Sequence, residues 1–168
     1  GSNAKVVDLG ELLAKVVDGA KVRQPEAGLE CVVDEVLVFA DSEQLATVFG
    51  HMIQNAQDAT EKTGRVLVRI KPEDNHVTVD VEDTGIGMEP DFVRDRLFKP
   101  FDSTKGLTGM GVGAFESREY IRSLDGDISV VSVPGEGSTF RIVLPRVYPE
   151  EDINENVDIK GVGSEGIE

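Results

Sequence analysis

The stretch Val81-Glu82-Asp83-Thr84-Gly85-Ile86-Gly87-Met88 constrains this chain more than any other. Upstream of its turn, Val77, Val79 and Val81 alternate with Thr78, Asp80 and Glu82, the period-two pattern of a strand with one buried face. That alternation carries Asp83 to a strand end, where the backbone must turn and a side chain can meet a ligand. Gly85 and Gly87 follow, and without Cβ atoms they let the main chain approach a bound molecule closely. By themselves these residues also fit an ordinary Asp-Thr-Gly turn. The other segments decide between the two readings.

A length of 168 residues with 39% hydrophobic content supports one domain with a single core. No apolar run reaches the length of a membrane span, so the chain is expected to be soluble, without direct membrane contact. The formal net charge of -15 argues against nucleic acid as a partner, because phosphate backbones demand clustered Lys and Arg. An anionic nucleotide stays compatible, provided local N–H groups and a divalent cation offset the field. The single cysteine, Cys31, precludes an intrachain disulfide and metal binding by sulfur, and it fits a reducing compartment as a core thiol. Residues 1–4, Gly-Ser-Asn-Ala, read as a scar of tag removal and are set aside, so the chain is expected to be an excised fragment. Residues 5–146 are expected to form the domain, and residues 147–168 an acidic, mobile tail poor in periodic apolar positions.

Along the chain, Leu9, Leu12, Leu13, Val16 and Val17 recur at helical spacing behind Asp8, which predicts a capped helix over 8–18. Two strand-like runs follow, Leu29 to Val33 and Val36 to Phe39, before Asp41 or Ser42 caps a second helix. That helix, over roughly 43–60, carries Leu45, Val48, Phe49, Met52, Ile53, Ala56 and Ala59 as a core stripe. Asn55 borders the stripe, with His51 and Asp58 on the same flank. They are either a solvated helix side or the floor of a pocket.

Residues 65–71 and 76–82 predict a hairpin ending in Asp83. Periodicity fails over 89–108, which predicts a functional loop anchored by Phe98 and Phe101, with Ser103, Thr104 and Lys105 offering donors to an anion. The competing reading is a long surface connection. Gly109-Met110-Gly111-Val112-Gly113 opens a helix with inward Ala114, Ser117, Ile121 and Leu124, and glycines at a helix start expose N–H groups to a phosphate. A hairpin of Asp127–Val133 and Ser138–Leu144 closes the domain.

The set formed by Asn55-Ala56 with Ala59, DTGIGM, FKPFDSTK, GMGVG, Asp125-Gly126 and PGEGSTFRIVLP resembles the catalytic, ATP-binding domain of bacterial sensor histidine kinases. That domain has the Bergerat (GHKL) fold shared with gyrase, Hsp90 and MutL, and the resemblance runs from the first helix to Pro145. It implies a two-layer α/β (α+β) sandwich, with a mixed, mainly antiparallel sheet under about three helices. It implies that Asn55 supplies an amide oxygen to Mg²⁺, a cation that prefers oxygen ligands, and that Asp83 accepts a hydrogen bond from the exocyclic amine of adenine. Gly85 and Gly87 would clear space for the base, and Phe98 and Phe101 would fasten the loop. Lys105 and the N–H groups of Gly109, Met110, Gly111, Val112 and Gly113 would face the triphosphate. Asp58, Met88, Thr104 and Thr139 complete the implied ATP-binding set, and His51, Asn55 and Lys105 the catalytic one.

The implied reaction is donation of the γ-phosphoryl of Mg·ATP to a histidine on the dimerisation domain of the same parent kinase, which then passes it to a response regulator in the cytoplasm. Two departures qualify this. His51 stands where gyrase-like ATPases and serine kinases place a glutamate base, and nothing here resembles the helical hairpin that carries a phosphoacceptor histidine. The alternatives are a free-standing GHKL ATPase or serine protein kinase, and a nucleotide-binding pseudokinase module. The wording DSTKG and GMGVGAFESREYI is most similar to the kinase subfamily associated with exosortase and PEP-CTERM sorting.

Overall fold

The computed structural model describes residues 3–31, 35–100 and 111–149. The expectations for Phe101, Thr104, Lys105, Gly109, Met110 and residues 150–168 lie outside the described residues.

The chain opens with strand β1 (Lys5–Asp8), which the sequence pattern did not predict, and enters helix α1 (Leu9–Gly19). Four residues are too few for alternation to register, and β1 is defined instead by antiparallel pairing with β3 (Leu37–Ala40). Asp8 caps α1 as expected, its Oδ1 accepting the Glu11 N–H at 3.0 Å. Asp41 does the same for α2 (Ser42–Asp58), accepting from the N–H groups of Glu43 and Gln44. The stripe on α2 is buried from Leu45 to Ala56. The helix stops two residues before the predicted 60, with Ala59 as its C-cap.

Strands β2 (Ala27–Cys31), β4 (Val66–Pro72), β5 (His76–Asp83), β6 (Asp127–Val133) and β7 (Gly137–Pro145) form a sheet in the order β2-β4-β5-β7-β6. The β2–β4 pairing is parallel and the others antiparallel, so the sheet is mixed and mainly antiparallel, as expected. The two hairpins meet through β5 and β7, and this pairing sets Asp83 opposite Ser138. On the helix side, Val77, Val79 and Val81 are at most 1% exposed and join one core with Phe49, Ile53 and Ile121. Each such side chain contributes about 1.5–3 kcal/mol of hydrophobic stabilisation.

Among the described residues no helix covers the opposite face of the sheet, which is charged. Glu30, Arg69, Asp80 and Arg141 stand in register across β2, β4, β5 and β7. Arg69 pairs with Glu30 and Glu82, and Arg141 with Asp80. Opposite charges on neighbouring strands stabilise the pairing and keep the bare face polar.

The segment 89–108 departs from the expected irregular loop, because it begins with helix α3 (Pro90–Asp95). Pro90 stands at the first helical position, where its fixed φ and missing N–H cost nothing. Six residues make less than two turns, too few for a periodic signal. Leu97, just after it, is fully buried. Helix α4 (Gly111–Ser123) then buries Ala114, Ser117 and Ile121 as its spacing predicted.

Candidate functional site

Asp83 ends β5 on the helix-facing side, and its carboxylate is 7% exposed. Its Oδ1 accepts the Gly85 N–H at 2.8 Å and the Ser138 N–H at 3.3 Å. Its Oδ2 is buried with no hydrogen-bond partner among the described residues. Burial pushes this carboxyl above its ordinary pKa, and the two N–H donors pull it partly back. A buried carboxylate oxygen without a hydrogen-bond donor retains its acceptor capacity.

The loop after Asp83 is held on three sides. The Ile86 N–H donates to the Ala59 carbonyl at 3.0 Å, which joins the loop to the end of α2. The Thr84 hydroxyl accepts the Arg65 N–H at 2.8 Å, at the start of β4. Gly135 N–H donates to Ile86 O at 2.7 Å, and Met88 N–H to Ser132 Oγ at 2.8 Å, which ties the loop to the β6–β7 hairpin.

The two glycines have a structural reason of their own. A Cβ on Gly85 would collide with the Ala59 carbonyl and one on Gly87 with the Val133 carbonyl, so their bare faces admit neighbouring backbone. Gly87 also has φ +71°, in the left-handed region that glycine adopts without strain. Met88 is 6% exposed and belongs to the core.

Asn55 is buried near the C-terminal end of α2, while His51 and Asp58 on the same flank are exposed. His51 lines a cleft of about 300 Å³ between α2 and α4, with Glu43, Thr47, Glu116, Ser117 and Tyr120. The first turn of α4 comes close there, since a Cβ on Gly113 would lie 3.4 Å from His51 Nδ1. Gly111, Val112 and Gly113 therefore open α4 beside α2, where first-turn N–H groups and the helix dipole favour an anion. Phe98 is half-buried against the core, and the Arg118 guanidinium stacks on its ring, 4.0 Å from the centroid.

Thr139 is not brought to this site. It pairs with Glu82 in the register, and alternation turns it to the charged face, away from Asp83. Its neighbour Ser138, 5% exposed, takes the position beside the carboxylate. Sequence reading passed over Ser138 and Ser132. Alternation through Phe140, Ile142 and Leu144 was the available signal, because the same face includes Ser138.

The model of the "Histidine kinase-, DNA gyrase B-, and HSP90-like ATPase" family matches residues 40–148. Sporulation kinase E of Bacillus subtilis (strain 168) is 34% identical over 138 residues, which is 81% of this chain and 18% of that protein. The aerobic respiration control sensor protein ArcB of Escherichia coli (strain K12) is 29% identical over 164 residues, 90% of this chain and 21% of that protein. The chain thus spans about a fifth of the length of these relatives. Among solved structures, the catalytic domain of histidine kinase ThkA superposes with a TM-score of 0.75 at 22% identity, over 86% of this chain and 98% of that one. Full-length ShkA in complex with AMPPNP gives 0.73 at 24%, over 89% of this chain and 32% of that one. With the fold shared and the family model covering both the Asn55 helix and the Asp83 strand, this chain belongs to the histidine kinase-, DNA gyrase B- and HSP90-like ATPase family.

Proposed function

We propose that this chain is the ATP-binding catalytic part of a two-component sensor histidine kinase, acting in the cytoplasm. It binds Mg·ATP and donates the γ-phosphoryl to a histidine on the dimerisation domain of its parent protein, from which a response-regulator aspartate receives it. The observation that carries this reading is the buried Oδ2 of Asp83, which has no partner among the described residues. An exocyclic amine supplies the donor this oxygen lacks, which favours adenine over a base with a carbonyl at that position.

Asn55, on the helix joined to the Asp83 loop through Ala59, would hold Mg²⁺ by its amide oxygen. Among the described residues no cluster of His, Cys, Asp or Glu could hold a metal ion, so the cation would arrive with the phosphates. When bound, Mg²⁺ neutralises charge developing on the phosphate oxygens. The N–H groups of Gly111 and Gly113 face the phosphates from the start of α4. Gly109 and Lys105 carry the same expectation, as do Phe98 and Phe101 for the loop. In the transfer, an imidazole nitrogen of the acceptor histidine bonds to the γ-phosphorus, the bond from that phosphorus to the β–γ bridging oxygen breaks, and ADP leaves. The protein's part is positioning and charge neutralisation.

The test is to incubate this chain and the isolated dimerisation domain of its parent with ATP labelled in the γ-phosphate. Label on that domain, labile to acid and stable to base, is the expected result. Steady hydrolysis by the chain alone, without transfer, would overturn it in favour of a free-standing ATPase, and loss of that hydrolysis on changing His51 would identify the base.

A further inference from the structure

Ser132 is the inward-facing side chain between two exposed valines near the end of β6, Val131 at 73% and Val133 at 44% exposure. A hydroxyl turned inward on such a strand end is costly unless its hydrogen bonds are made. Those of Ser132 are made at a junction. Its Oγ accepts the Met88 N–H at 2.8 Å, stands 2.8 Å from Ser138 Oγ, and lies 3.3 Å from the Gly137 carbonyl oxygen.

A hydroxyl has one proton and two lone pairs. Met88 occupies one lone pair of Ser132, the single proton of Ser132 goes to the Gly137 carbonyl, and the second lone pair accepts the Ser138 proton. Only this assignment makes all three bonds, because the Gly137 carbonyl has no proton to give. The Ser138 proton is thereby engaged by Ser132, on the residue whose N–H already meets Asp83.

We propose that Ser132 is a positioning residue of the base-reading site. It sets the proton of Ser138 and ties the Gly87–Met88 loop to the β6–β7 hairpin, so that Asp83 Oδ2 stays open to a donor from the ligand. The proposal rests on Asp83 as the acceptor for the adenine amine.

The experiment measures, by calorimetry on the full chain, the affinities for the Mg²⁺ complexes of a non-hydrolysable ATP analogue and of its counterpart with unsubstituted purine as the base, which lacks the amine. Wild type is expected to prefer the adenine form by about tenfold or more. Ser132→Ala should lower that preference to about threefold or less, and Ser132→Thr, which keeps the hydroxyl, should restore it. In a Ser138→Ala background, Ser132→Ala should change the preference no further. A purely structural role would lower the melting temperature and leave the preference intact. Should Ser132→Ala not fold, Ser132→Cys takes its place, with the same loss expected because a thiol sulfur is a weak acceptor. An unchanged preference in the folded variant, or a Ser132→Thr that behaves like Ser132→Ala, overturns this proposal alone. No preference in wild type overturns the reading of Asp83, and this proposal with it.

Discussion

Asp80 and Asp83 lie three residues apart on β5, both buried, in opposite electrostatic surroundings. Asp80 faces the open side of the sheet. Arg141 grips both of its oxygens, at 2.8 and 2.9 Å, and Lys71 Nζ adds a contact at 3.2 Å. The Arg141 hydrogen bonds hold its carboxyl below the ordinary value against the opposing effect of burial, with Lys71 assisting. Asp83 faces the helices, meets two backbone N–H groups, and keeps Oδ2 unpaired. Burial dominates there and raises its pKa. The same carboxylate chemistry thus serves two ends. At Asp80 the protein completes the charge pairing itself, whereas at Asp83 one oxygen has no partner among the described residues.

The sharpest way to break this comparison is nucleotide affinity. Asp83→Asn turns an acceptor into a donor at the position of Oδ2 and should weaken binding of an ATP analogue by about 10- to 150-fold, the range of a hydrogen bond to a charged group. Asp80→Asn should leave affinity within about threefold. Calorimetry on both variants decides, and an equal loss in the two would erase the distinction.

Stability should show the reverse order. Asp80→Asn removes the charged acceptor of Arg141 and Lys71 and should cost about 1–3 kcal/mol. Both cations are roughly half exposed, at 47% and 42%, and recover water when the partner is lost. That keeps the cost below the ~3–5 kcal/mol of breaking a fully buried pair. Asp83→Asn removes an ionised group that burial penalises, so its unfolding midpoint should not fall at neutral pH. Chemical denaturation of the three proteins tests this, and a larger loss at Asp83 would contradict it.

The strand that carries both residues was legible in the sequence because alternation is a two-residue signal repeated over Val77 to Glu82. It also set Asp80 opposite the valine face and Asp83 at the strand end. What each aspartate meets there was not legible, since Arg141 and Ser138 lie more than fifty residues away and reach β5 through the β5–β7 register. A one-residue slip in that register would exchange faces; Thr139 was expected at the site from the resemblance alone, and the register puts Ser138 there. The caps at Asp8 and Asp41 were legible because they act within three residues. Strand β1 was not, because its pairing is its definition.

The pH dependence should separate the two aspartates by sign. A depressed folded pKa means that the contribution of Asp80 is present above the unfolded carboxylate range, near pH 4, and is lost as pH falls through the folded value. Asp83, with a raised folded pKa, contributes stability that is fully present below the unfolded value and lost as pH rises through the folded one. Nucleotide affinity should fall as pH drops through the raised pKa of Asp83, because the ionised oxygen is the stronger acceptor. Difference melts against the Asn variants from pH 3 to 7 should therefore have opposite slopes, and slopes of one sign would refute the contrast.

The smallest effect sharpens the comparison furthest, because it asks how the pairing of Asp80 is shared. Arg141 makes two short bonds to the carboxylate and Lys71 one longer contact. The fork of a guanidinium matches both oxygens at once, whereas an ammonium is a single point charge on a flexible stem. If the fork dominates, Lys71→Ala should cost about 0.2–1 kcal/mol, the ordinary worth of a partly exposed ion pair. Raising the salt concentration should shrink that loss further, because half-exposed charges are screened. In an Asp80→Asn background the Lys71→Ala loss should nearly vanish, since the ammonium then has no carboxylate to meet. A Lys71→Ala loss that persists in that background would mean that the lysine stem stabilises β4 by packing, and that Arg141 alone completes the pairing of Asp80.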